Sequence, residues 1–149
     1  MYAIENLRHR RARAGCGAEP SARRAHNSRM DLLEAIIARD REALAALVAD
    51  DVVFNSPVTV YRGRDQVVDL LVVLGGVFQD ITRTREIETV TFVRGRAGDE
   101  ELDGAFVEIK DGEGLIAEIT LLLRPLAGIQ AGVRLMARAL AEGGQQPDA

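Results

Sequence analysis

Acid–base and nucleophilic chemistry has few places to reside in this chain. Its imidazoles and its thiol are His9, His26 and Cys16, all within the first 29 residues. A single cysteine excludes an intrachain disulfide framework, and with only two histidines beside it no structural zinc set can be assembled. Carboxylates are more plentiful. Asp50 and Asp51 form an adjacent pair of the kind used in general acid–base work, yet they fall between a helical and a strand pattern, where capping and turn formation is their expected role. Asp99, Glu100, Glu101 and Asp103 crowd one hairpin, but the twelve-residue calcium-loop spacing is missing, so they read as a solvated edge and no metal is expected. The chain's one Arg-x-Asp, Arg29 to Asp31, opens a helix, and Asp31 suits a cap. A phosphate loop and a Ser-His-Asp set are absent from the sequence.

The elements that must position these groups belong to one domain. At 149 residues, 47% hydrophobic and 28% charged, the composition is that of a globular chain. The longest uncharged apolar run, Leu70 to Phe78, is less than half the roughly 20 residues of a membrane-spanning helix, and no membrane partner is expected. The formal net charge of −4 hides an asymmetry. Residues 1–29 carry seven arginines against Glu5 and Glu19, whereas the remainder carries 12 basic and 21 acidic residues. Residues 1–28 lack apolar periodicity and are expected to be a disordered basic tail. Met30 heads the first periodic helix, so this tail is read as upstream sequence from a misassigned start, with targeting and anion binding as its other uses. The body's acidity argues against nucleic acid as a partner, and a cytoplasmic location is expected. Eighteen arginines to the single Lys110 point to a GC-rich bacterial genome.

Along the body, Ser28 and Asp31 predict a capping box before a helix over about 29–39, with Leu32, Leu33, Ile36 and Ile37 on one face. Asp40 predicts the cap of a second short helix, ended by Asp50 and Asp51. A strand over Val52 to Ser56 stops at Pro57, and a loop through Tyr61 leads to a third helix opening at Gly63, with Val67, Leu70, Leu71, Leu74 and Phe78 inward. From Ile81 the period changes to two. A long strand to Val93, a return strand over Leu102 to Ile109 and a further strand over Leu115 to Arg124 are joined by turns at Gly95–Asp99 and Asp111–Gly114. Pro125 opens a closing helix with Leu126, Ile129, Val133, Met136 and Leu140 on its expected buried side, and residues 143–149 are expected to be disordered. Gly128 and Gly132 permit this helix to pack closely, to cover a cavity mouth or to swap onto a partner. Helices segregated from an antiparallel meander imply an α+β layer with helices on one face of a curved sheet.

The segments ALVADDVVFNSP (46–57), YRGRDQVVDLL (61–71) and DGEGLIAEITLLLRP (111–125) resemble the nuclear transport factor 2-like superfamily, and within it the SnoaL-like domains. The resemblance spans about residues 30–125, with the cone domain over 29–142. It implies a curved antiparallel sheet forming a cone, helices packed on its concave face, in the manner of a cystatin-like α+β barrel. It also implies a pocket between sheet and helices. In the ketosteroid isomerases of this superfamily the general base, the tyrosine and the protonated acid fall, on this chain, at Ser56, Leu32 and Phe106. None of these can do that chemistry. The epoxide hydrolase pattern fails likewise, with its last-strand acid near Leu121 and no Arg-x-Asp over 84–94. The pocket is therefore expected to be aliphatic, with Phe54, Ser56, Tyr61, Leu32, Phe106 and Leu121 lining it, no cofactor and a small hydrophobic ligand.

Placement as in the family turns Phe54 and Ser56 inward and Asn55 outward, with Ala117, Ile119, Leu121 and Leu123 inward on the last strand. Tyr61 sits near the mouth, either orienting a polar ligand group or packing on the rim. Glu118, Thr120, Leu122 and Arg124 are left on the outer face, where relatives pair, so a homodimer through that face is expected. Two other readings stand beside the binding one. An isomerase, hydrolase or cyclase would work through Asp51, Asp103 or Glu118, and an accessory protein would have a filled cone and act through its sheet face.

Overall fold

The protein is described by a computed structural model over residues 30–143. The basic tail, the Ser28 cap and all of the C-terminal segment but Gly143 lie outside the described residues. Asp31, with its own cap geometry, starts helix α1 (Leu32–Ala38): its carboxylate accepts from the Glu34 amide at 2.9 Å, and the Glu34 carboxylate accepts from the Asp31 amide at 3.3 Å. The capping box therefore sits three residues later than the Ser28–Asp31 spacing predicts, because Asp31 supplies the capping oxygen rather than the returning acid. Ile37, expected inward, faces water. Arg39 takes a left-handed conformation and ends α1, and Asp40 caps α2 (Arg41–Leu47) by accepting from the Ala43 amide at 3.0 Å.

Strand β1 (Val48–Asn55) follows directly, four residues earlier than predicted. Asp50 and Asp51 thus belong to β1, both exposed, where the register with its neighbour shifts between Val48 and Val53. They bulge the strand rather than end the helix. Tyr61 lies in a short strand, β2 (Val60–Arg62), paired antiparallel with β1 across Phe54 and Tyr61. Helix α3 (Arg64–Val77) starts after Gly63, as the sequence indicates.

The predicted long strand is two strands, β3 (Gln79–Ile87) and β4 (Val90–Ala97), folded back at Glu88–Thr89. Glu88 adopts φ 51°, and the Thr89 carbonyl accepts from the Glu108 amide at 2.9 Å, so tertiary pairing closes a turn that no glycine or asparagine announces. Strands β5 (Glu100–Lys110) and β6 (Ile116–Arg124) complete a curved, unclosed sheet of order β2-β1-β6-β5-β4-β3. Four of its five pairings are antiparallel, and β1 with β6 is parallel. With helix α4 (Leu126–Glu142) closing the chain, the fold is the expected α+β arrangement.

The core joins Leu32, Leu33 and Ile36 of α1 and Val67, Leu71 and Leu74 of α3 to Phe54, Phe106, Ile119 and Leu121 of the sheet. Two glycine contacts set helix positions. A Cβ on Gly75 of α3 would lie 2.0 Å from the Ile36 carbonyl oxygen, and one on the next residue, Gly76, 2.9 Å from the Arg39 guanidinium. These residues disfavour helix on propensity. The α1–α3 contact requires them nonetheless, and α3 runs straight through. On α4, a Cβ at Gly128 would meet Leu102 at 2.4 Å and one at Gly132 would meet Phe78 at 2.8 Å. The helix docks on its small residues Gly128, Ala131 and Gly132, which leaves Leu126 67% exposed, against expectation, and Val133 40% exposed beside the space under the helix.

Gly75→Ala is expected to destabilise the fold by about 2–3 kcal/mol, because backbone must move to admit the methyl. Gly112→Ala, in an open turn with nothing within 4 Å, is expected to stay within about 0.5 kcal/mol of the parent. Urea unfolding of the two variants checks the contrast.

Candidate functional site

The space between the inner sheet face, α3 and α4 is not filled. It holds a cavity of about 400 Å³, within the roughly 300–1,000 Å³ range of small-molecule sites. Phe54, Tyr61, Leu121 and Leu123 line it from the sheet, and Leu70, Leu74 and Phe78 from α3 and its end. Helix α4 supplies the remaining wall through Ile129, Gly132, Val133, Met136, Ala137 and Leu140. Strand alternation explains the sheet's share. Phe54 of β1 stands beside Ile119 of β6, both fully buried, while Asn55 turns outward and donates to Glu118 at 2.8 Å and to Thr120 at 3.1 Å.

The mouth is built by the turn after β1. Pro57 ends the strand, and the Ser56 hydroxyl accepts from the Thr59 and Val58 amides at 2.9 and 3.3 Å while donating to the Thr59 carbonyl at 2.8 Å. One donor and two acceptor positions are thereby all used. Ser56 lines the cavity but spends its hydroxyl on the turn. Tyr61 packs against Phe54 with ring centroids 6.3 Å apart and planes tilted by 46°, and burial raises its phenol pKa above the ordinary value. It is the one titratable side chain among the cavity's lining residues.

Phe54, Ser56, Tyr61 and Leu121 thus all line this one cavity. Leu32 and Phe106 are not part of this cavity. Leu32 is core, because α1 packs onto α3 through Gly75, away from the β1–β2 turn that forms the mouth. Phe106 lines an adjoining hollow of about 30 Å³ with Ile81 and Val93, which shares Leu74, Phe78, Leu121 and Leu123 with the cavity. The α4 residues were legible as a packing stripe on a helix able to cover a cavity mouth.

The catalytic suspects stand elsewhere. Asp51 is exposed on β1. Asp103 is held by Arg124 through two hydrogen bonds of 2.8 and 3.1 Å on the outer sheet face, which lowers its pKa. Glu118 accepts from Asn55, also on the outer face. None of the three lines the cavity. No group of three or more metal-ligating side chains occurs among the described residues, and no helix among them is long and apolar enough to cross a membrane.

The SnoaL-like domain family model matches residues 30–120, and the chain belongs to that family, within the nuclear transport factor 2-like superfamily. A steroid delta-isomerase from Pseudomonas aeruginosa is 31% identical and superposes with a TM-score of 0.69 over 73% of this chain and 85% of its own. A conserved bacterial protein with a cystatin-like fold from Silicibacter pomeroyi is 23% identical, with a TM-score of 0.70 over 73% of this chain and 82% of its own. A Kribbella flavida protein shares the fold at 14% identity, with a TM-score of 0.58 over 69% and 88% of the two chains. No curated protein matches the chain.

One carboxyl outside the cavity was missed in the sequence. Glu108 of β5 is paired in register with the fully buried Ile119 and so points to the core side, near the Glu88–Thr89 turn. Loss of water raises its pKa, with the Asp31 and Glu86 carboxylates acting in the same direction and Lys110 and Arg83 opposing. Period-two alternation marks the position as inward, and that was the available signal. A folded pKa above the unfolded value makes this group's contribution most favourable at low pH. The contribution is lost as pH rises from the ordinary glutamate value of about 4.3 through the raised one. Glu108→Gln is therefore expected to stabilise the protein at pH 7 and to have no effect below about pH 4, the unfolded value. Urea midpoints at the two pH values measure this, and an equal gain at both refutes the assignment.

Proposed function

We propose that the protein binds a small hydrophobic molecule in the cavity between its sheet and α4, without acid–base chemistry. One observation carries the reading: the lining is mostly Phe, Leu, Ile, Val, Met and Ala, with Ser56 and Thr59 at the mouth and a single titratable group, Tyr61. Burial of a ligand's apolar surface at roughly 25 cal/mol per Å² is then the driving force. The isomerase positions Ser56, Leu32 and Phe106 carry no group that exchanges a proton at neutral pH, which supports the same conclusion.

The neutral fluorophore N-phenyl-1-naphthylamine is expected to bind with enhanced emission, and Met136→Trp, which fills the cavity from α4, to weaken it at least about tenfold, given what overpacking costs. Fluorescence titration measures both, with circular dichroism verifying the fold. Equal binding by the two proteins overturns the site.

A catalytic reading has one observation in its favour, the 31% identical steroid delta-isomerase. Offered an unconjugated steroid ketone, the protein is expected to give conjugated product no faster than buffer. Turnover lost on filling the cavity would establish an isomerase instead.

The same reading pairs two copies through the outer sheet face. Phe92, Ala105 and Leu122 lie side by side across β4, β5 and β6, with Phe92 and Leu122 at 37% and 57% exposure. Family members pair through this face, and the apolar row is flanked by Arg124–Asp103 and by Asn55, Glu118 and Thr120, a polar rim around an apolar centre. Leu122→Arg is expected to convert a dimer to a monomer by light scattering. A monomeric parent removes the proposal.

A further inference from the structure

The cavity's polar groups are unequal, and the inequality specifies the ligand more closely than its apolar walls do. Ser56 has its hydroxyl saturated by the turn. Thr59, half-buried on that same turn, remains within reach of water. Tyr61 differs from both. The residue is only 9% exposed, its ring is fixed against Phe54, and its hydroxyl has no hydrogen-bond partner among the described residues. The oxygen is not sealed in the core either: Arg64 Nε is the buried unpaired side-chain atom found among the described residues. A phenol so placed keeps contact with the hollow it lines. A purely apolar ligand filling the hollow would strip that oxygen of water and leave it unpaired, a cost that a ligand acceptor avoids.

The sign of the ligand's charge follows from what else lines the cavity. No arginine or lysine does. A carboxylate there would lose its water without meeting a cation, which desolvation strongly disfavours. Resting on the binding reading above, we propose that the ligand is an uncharged lipophile bearing one hydrogen-bond-accepting oxygen, a ketone or ester carbonyl, and that Tyr61 donates its phenolic hydrogen to that oxygen. Tyr61 then fixes which end of the molecule enters first, and the protein discriminates against fatty-acid carboxylates of the same bulk. A phenol is protonated and donating at neutral pH, and burial shifts this one's pKa further upward.

Three probes of like size test this on the full chain by calorimetry at pH 8: 2-acetylnaphthalene, 2-ethylnaphthalene and 2-naphthylacetate. The ketone is expected to bind about fivefold tighter than the hydrocarbon, the ratio one neutral hydrogen bond supplies, and the carboxylate weakest. Tyr61→Phe is expected to bring ketone and hydrocarbon to within about twofold of each other, that is, without the hydrogen bond, with circular dichroism verifying the fold. Thr59→Val is expected to keep the preference. With 13C-labelled tyrosine in the parent protein, the Tyr61 Cζ resonance should move on adding the ketone and not the hydrocarbon. Hydrocarbon binding without ketone preference, a preference surviving Tyr61→Phe, or a carboxylate that binds best overturns the Tyr61 assignment and leaves the cavity standing. Absence of binding by all three, the hydrocarbon included, overturns the cavity as a site and this assignment with it.

Discussion

The seat of α4 on the sheet is the contact on which the interior depends. Gly128 and Gly132 let the helix approach Leu102 and Phe78 more closely than any side chain would allow, while Leu140 anchors the other end in the main core. Between the two anchors the helix spans the sheet without filling the space below it, and the cavity is what remains. A helix docked on large residues would stand further off and open the mouth, and one packed evenly along its length would close the hollow. Small residues at one end and a leucine at the other produce neither.

Charge is kept off this interior by arrangement rather than by scarcity. The acidic hairpin residue Asp103 is tied to Arg124 on the outer face, Glu118 is engaged by Asn55, and Asp31 spends its carboxylate on a helix cap and on Arg83. Glu108 is the departure, an inward carboxyl stationed at the hairpin end, away from the residues that line the hollow. Its position keeps a desolvated acid in the fold without bringing it to a ligand.

Much of this was legible in the residues. Helices α1 to α4 announced themselves through apolar spacing and through Asp40, Gly63 and Pro125, and placement as in the resembled family put Phe54 inward and Asn55 outward. What was not legible has identifiable causes. The Glu88–Thr89 turn carries no glycine or asparagine, and Glu88 adopts its left-handed backbone only because the strands on either side pair. Asp50 and Asp51 imitate a helix stop because a bulge and a turn draw on the same residue types. The inward face of α4 was misjudged at Leu126 because close docking rewards the absence of side chains, and a search for apolar bulk passes over it. Of the expected pocket residues, Phe54, Ser56, Tyr61 and Leu121 line the cavity, whereas Leu32 and Phe106, which fall at relatives' catalytic positions, do not.

The parallel contact between β1 and β6 carries a consequence for how the chain is born. Asn55 finds Glu118 and Thr120 more than sixty residues further on. As synthesis proceeds from the N-terminus, the first strand leaves the ribosome with one short hairpin neighbour and then waits, its other edge bare, until nearly all of the sheet has followed. Local pairs such as β3 with β4 close early, and the long loop entropy of the late partner is met last. The nascent protein is thus at its most adhesive through the middle of translation, and the arrival of β6 is the event that ends that vulnerability.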